Sequence, residues 1–137
     1  MNNQLNVYKR NQINTASSED LVLMLYDGAK KFINRAIKSI DEKNIEEANH
    51  NLLRAQKIIL GLMSGINFEA GDVANNMYAL YEYMYHKLVK ANLKKDAGIA
   101  AEVLQMVDEL RTAWMQMLKN RYLQDEENFN VKITKIS

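Results

Sequence analysis

Apolar side chains recur at helical spacing through four stretches of this chain, and polar or glycine positions separate them. In the first, Ser17 stands as an N-cap with Asp20 at its third helical position, and the helix it opens runs to about Ile40. Its apolar seam is Val22, Leu25, Tyr26, Ala29, Phe32, Ile33, Ala36 and Ile40, with Leu23 and Met24 off the face. Asn44 followed three residues later by Glu47 predicts a second start, and Ile45, Ala48, Leu52, Ala55, Ile59, Leu62, Met63 and Ile66 carry the seam on. Leu53, Ile58 and Leu60 fall outside it. Gly65 to Asp72 is punctuated, and Asp72 is placed to cap a third helix reaching Asn92. A tight connection then leads to Asp96, the expected cap of a fourth helix that runs to about Tyr122 on a seam of Ile99, Val103, Val107, Leu110, Trp114, Met117 and Leu118. Leu104 and Met115 lie at its margin.

The third helix carries more apolar surface than one seam requires. Met77, Tyr78, Leu80, Tyr81, Met84, Tyr85, Leu88, Val89 and Ala91 fan across about 180°, where a core stripe needs little more than about 100°. Tyrosine and methionine suit a contact surface, since a tyrosine ring buries area while its hydroxyl stays wet and methionine adapts to irregular partners. Tyr81 and Tyr85 lie near the seam, and both a core and a contact role are open to them. Tyr78 and Tyr83 fit a core less well; with Leu53, Leu60, Leu104 and Met115 they form a surplus available to a partner.

Four long helices joined by short connections make antiparallel neighbours, so the expected fold is all-α, an up-down four-helix bundle over residues 17–122. Residues 1–16 are polar and Asn-rich, with Leu5, Val7, Tyr8 and Ile13 as the few apolar anchors, and read as an extended N-terminal arm. After Tyr122 the cluster Asp125-Glu126-Glu127 interrupts the pattern and Val131 to Ile136 alternates weakly as a strand would, which predicts a flexible C-terminal tail over 123–137.

Composition narrows the function classes. The chain has 137 residues, enough for one domain with its own core. Without cysteine it has no disulfide framework, thiol nucleophile or thiolate metal site, and it fits a reducing compartment. Its longest apolar run, Leu21 to Tyr26, is far short of the ~20 residues of a membrane span, and no signal-peptide pattern occupies the start. A cytoplasmic protein without membrane insertion is expected. Eighteen basic and seventeen acidic residues leave a net charge of +1, so no global field recruits nucleic acid.

Catalytic chemistry finds no support. Helical bundles can hold di-iron sites on Glu-x-x-His motifs, and Glu47-Ala-Asn-His50 has that spacing, while Glu82 and His86 lie one turn apart. Both pairs sit about 110° to 170° from the seam centre of their helices, where ligands would have to point outward. No metal or other cofactor is expected. Trp114 on its seam reads as a core or half-buried anchor.

Three segments carry a resemblance. Asn14-Thr-Ala-Ser-Ser-Glu-Asp-Leu-Val-Leu-Met-Leu-Tyr-Asp-Gly28, then Asn51-Leu-Leu-Arg-Ala-Gln-Lys-Ile-Ile-Leu-Gly-Leu62, then Tyr81-Glu-Tyr-Met-Tyr-His-Lys-Leu-Val-Lys-Ala-Asn92 resemble the flagellar secretion chaperone family FliS in order and spacing, over about residues 7 to 118. Asp96, Glu102-Val103 and Trp114 fit the same pattern. Ser18 stands where the family commonly has proline, and residues 122–137 align with nothing in it.

The resemblance implies a non-catalytic cytosolic chaperone that holds the disordered C-terminal segment of flagellin, prevents its early polymerisation and delivers it to the export gate of the flagellar type III secretion apparatus. Joined to the surplus positions, it implies client contacts at Tyr8, Leu53, Ile58, Leu60, Met63, Tyr78, Tyr81, Tyr85, Leu104 and Met115. It also implies an N-terminal tyrosine-containing segment, matched by Val7-Tyr8, lying over part of the binding surface. A homodimer is a further possible partnership. The competing reading is a non-catalytic helical adaptor that binds folded partners.

Overall fold

The computed structural model describes residues 18–136, so the arm, Tyr8 and the Ser17 cap lie outside the described residues. Four helices follow one another: α1 Ser18–Asp41, α2 Ile45–Ser64, α3 Asp72–Lys94 and α4 Ala97–Ile136, with a single 3-10 turn at Phe68–Ala70 between α2 and α3. Each helix packs against its neighbours in a closed square, α1 on α2 and α4, and α3 on α2 and α4. This is the all-α bundle that the periodicity predicts.

Local chemistry sets most of the ends. The side chain of Asn44 accepts a hydrogen bond from the Glu47 backbone N–H at 3.3 Å, and Asp96 accepts from Gly98 and Ile99 at 2.9 and 3.1 Å. Between α3 and α4, Lys95 takes a left-handed conformation, and the backbone N–H of Asp96 returns to the Ala91 carbonyl at 3.0 Å, the pattern that closes a helix C-terminus. Asp72 departs from expectation. The cap position belongs to Gly71, whose φ of 79° favours glycine, and Asp72 is the first residue inside α3, with its carboxylate at the positive end of the helix.

The core forms where the seams meet. Tyr26, Ile33, Leu52, Ile59, Met84, Leu88, Val103 and Val107 are its largest fully or nearly fully enclosed side chains, with alanines from all four helices filling the space between. Across the diagonal, the hydroxyls of Tyr26 on α1 and Tyr81 on α3 hydrogen bond at 2.5 Å, so neither phenol is left unsatisfied. Burial, the largest influence on each, pushes both phenols above their usual range. Ile45, counted on the seam of α2 from periodicity, is instead half exposed at the end of the bundle.

The chain beyond Tyr122 corrects the sequence reading. From Leu123 to Ile136 it continues α4 as helix where a tail with strand-like alternation is predicted. No glycine or proline follows Gly98, so nothing in the chain stops the helix, and the Thr134 hydroxyl donates back to the Asn130 carbonyl at 2.9 Å. At 1.5 Å per residue the 40 residues of α4 span about 60 Å, well past the ends of its partners. Arg121 reaches Glu19 in the first turn of α1 at 2.8 Å, and from Tyr122 to Lys135 every side chain is exposed.

Candidate functional site

Besides a concavity along the projecting end of α4, two concave surfaces among the described residues lie on the bundle itself. The first runs along the outside of α2 beside α3, encloses about 320 Å³, and is lined by His50, Leu53, Arg54, Gln56, Lys57, Leu60 and Tyr85. Leu53 and Leu60 are two helical turns apart, each 44% exposed, and Tyr85 supplies the facing ring from α3. The helical wheel places these leucines away from the four-helix centre, so the fold cannot bury them itself.

The second surface is a cavity of about 470 Å³ at the end of the bundle where α1 and α3 begin and α2 ends. Leu21, Val22, Leu25, Leu62, Ile66, Val73, Met77 and Trp114 make its apolar wall, and Tyr81 lines its floor. Small residues keep it open: Gly61, Gly65, Ala70 and Ala74 present no bulk at the points where α2, the 3-10 turn and α3 face it. Trp114 is fixed at its edge by an indole N–H bond to the Glu19 carbonyl at 3.0 Å. Ser18, the first described residue, also lines it.

The predicted contact residues divide accordingly. Leu53, Leu60 and Tyr85 share the α2/α3 groove. Tyr81 is only 4% exposed and belongs to the core, with one edge facing the end cavity. Ile58 lies against α1, where its Cδ1 would stand 3.0 Å from a Cβ added at Gly28; the missing side chain there gives Ile58 its place. Met63 and Leu104 are partly buried against the core, and the Tyr78 ring packs on Phe68 with centroids 5.4 Å apart. Met115 is exposed on α4, apart from both concavities. Tyr83, from the surplus set, donates its hydroxyl to Glu102 at 2.9 Å. The end cavity was missed by periodicity alone; the signal was the spacing Gly61, Gly65, Ala70, Ala74 opposite Leu21 and Val22.

Charge is distributed unevenly around these surfaces. The ion pairs seen between helices among the described residues involve α4: Lys30 to Asp108 at 2.6 Å, Arg111 to Asp27, Arg121 to Glu19, and Lys87 to Glu102 at 3.7 Å. Hydrogen bonding to Lys30 holds the Asp108 carboxyl below its usual range, and a bond to its own backbone N–H, with Arg121 assisting, does so for Glu19. Glu47 and His50 are exposed, as are Glu82 and His86, which approach each other at 3.9 Å on the outside of α3. Among the described residues no cluster of three potential metal ligands forms, and no helix is long and apolar enough to cross a membrane.

A bundle with these two apolar concavities matches a known family in sequence. The model of the flagellar protein FliS family covers residues 1–121 of this chain. The chain belongs to the FliS family. A relative in Bacillus subtilis (strain 168), named flagellar secretion chaperone FliS, is 41% identical over 118 residues, spanning 86% of this chain and 88% of its own length. The proteins of the same name in Vibrio cholerae and Salmonella typhimurium are 30% and 34% identical, over 85% and 75% of this chain and 90% and 78% of theirs. The FliS match stops at residue 121, where α4 leaves the bundle, so the projecting end of that helix lies outside the family model.

Proposed function

We propose that this FliS-family chain is a cytoplasmic, non-catalytic export chaperone that binds the disordered C-terminal segment of flagellin, keeps it from polymerising early and presents it to the flagellar export gate. The observation that carries the reading is the α2/α3 groove. Leu53 and Leu60 remain half exposed beside Tyr85 although the core behind them is complete. A segment that is disordered alone can form an amphipathic helix there, its apolar stripe supplying the cover that the bundle lacks. The end cavity offers a second berth of the same apolar character. The names of the relatives, flagellar secretion chaperones, support the same assignment.

The test is calorimetric titration of the full chain with a peptide covering the last ~40 residues of the cognate flagellin, followed by circular dichroism of the mixture. Coupled folding produces a negative heat-capacity change and a gain of helix beyond the sum of the components. Absence of binding to the cognate segment overturns the proposal. A second reading, an adaptor for folded partners, draws on the α4 projection, which exposes Tyr122 and Phe129 at 67% and 61%. Binding of a structured protein without added helix would support that reading in place of the first.

A further inference from the structure

The groove differs from the rest of the bundle in its electrostatics. Every helix except α2 has a side chain in an ion pair; among the described residues, none of the α2 side chains makes one. Yet α2 presents Arg54 and Lys57 between Leu53 and Leu60, on the lip of the groove, with His50 one turn before. The lining contains no carboxylate. Arg54 instead rests over the ring of Phe32, 5.5 Å from its centroid, and the same ring draws Lys31 and Arg35 to 4.9 and 5.9 Å. Three cations thus share one aromatic ring. A ring quadrupole relieves part of their mutual repulsion, but it does not neutralise them.

The near balance of charge in the whole chain makes this local excess informative. The acids of α2, Glu46 and Glu47, stand in its first turn outside the groove lining, so Arg54 and Lys57 border the aliphatic floor with no carboxylate in that lining. A helix laid over Leu53 and Leu60 must pass its flanks across Arg54 and Lys57. Basic flanks there would be repelled, and neutral flanks would leave the cations as they are. Acidic flanks would be paired. A polyanion without apolar groups satisfies the cations but leaves the leucines uncovered.

We infer that the α2/α3 groove selects a client helix whose apolar stripe is flanked by aspartate or glutamate, which pair with Arg54 and Lys57 and extend toward the Phe32 cluster. This rests on the groove being the client site. The selectivity is tested with the flagellin C-terminal peptide and a version whose aspartates and glutamates are changed to asparagine and glutamine, each titrated into the full chain and into R54Q/K57Q. Both substituted side chains are on the surface, and circular dichroism checks that the variant keeps its helix content. Neutralising either side weakens binding about tenfold at low salt, neutralising both adds little more, and about 0.5 M NaCl erases most of the difference. If the neutralised peptide binds within about twofold of the original while Leu60→Asp abolishes binding, the charge selection is overturned and the groove stands. If the original peptide binds and neither Leu60→Asp nor R54Q/K57Q weakens it, the groove itself is the wrong site and the inference falls with it.

Discussion

Ile59 and Leu60 are neighbours on α2 with opposite tasks, and truncating each to alanine separates packing from client contact. Ile59 is fully buried among the four seams, whereas Leu60 is 44% exposed on the groove. Ile59→Ala leaves a void in a core that cannot fully collapse, with a cost of about 2–5 kcal/mol to folding. Leu60→Ala removes three carbons worth about 0.8 kcal/mol each when fully buried, about 2.4 kcal/mol in all. The bundle covers 56% of the residue, the complement of its 44% exposure, so about 1.3 kcal/mol is the share felt in folding, reduced somewhat because alanine favours helix. The remaining 44%, about 1 kcal/mol, is available to a client and corresponds to about a fivefold loss of affinity.

Urea unfolding followed by helical circular dichroism reads the first quantity, and titration with the flagellin peptide reads the second. Ile59→Ala lowers the unfolding midpoint strongly, while the folded fraction binds within about twofold of the parent. Leu60→Ala lowers the midpoint by much less and weakens client binding about fivefold, and Leu60→Asp, which adds a charge to the groove, weakens client binding further while the helix content is kept. Equal melting losses for Ile59→Ala and Leu60→Ala would refute the division, since Leu60 would then be core. Undiminished affinity in Leu60→Ala would refute the groove as the place where the client packs.

The Tyr26–Tyr81 bond gives a second test. Tyr26→Phe and Tyr81→Phe each strand a buried hydroxyl at a cost of about 1–3 kcal/mol, while the double variant costs less than their sum; additive losses in urea unfolding would count against the bond. Because burial raises both phenols, their contribution is complete below the ordinary tyrosine value of about 10 and is lost as pH climbs through the raised folded values, so phenolate absorbance from this pair should rise together with loss of helix. Deleting residues 1–12 tests whether that segment competes with client, as the family resemblance implies: removal is expected to tighten peptide binding, and unchanged affinity in titration would refute the competition.

What the sequence makes legible follows the range over which each feature is decided. Asn44 and Asp96 are readable as caps because a cap is settled within three residues, by a side-chain oxygen and the N–H groups just ahead of it. Asp72 misleads because Gly71, one residue earlier, supplies the left-handed backbone and takes the cap position. The end of α4 misleads for the opposite reason: alternation of Val131 and Ile133 is a two-residue signal, outweighed by an uninterrupted run without glycine or proline that begins after Gly98. The division of core from groove is decided over a longer range still. Periodicity sets Ile58 and Leu60 equally off the seam, but Gly28 on a different helix opens a place for Ile58 and nothing opens one for Leu60. Tyr81 is likewise claimed for the interior by Tyr26, 55 residues away. A helical wheel reports which direction a side chain points, and the volume of its neighbours on other helices decides whether that direction is occupied. The groove is therefore the remainder left by those volumes, and its lip carries Arg54 and Lys57 with no carboxylate in the lining. A client that meets both has to bring bulk to the leucines and carboxylates to Arg54 and Lys57 on the same helix.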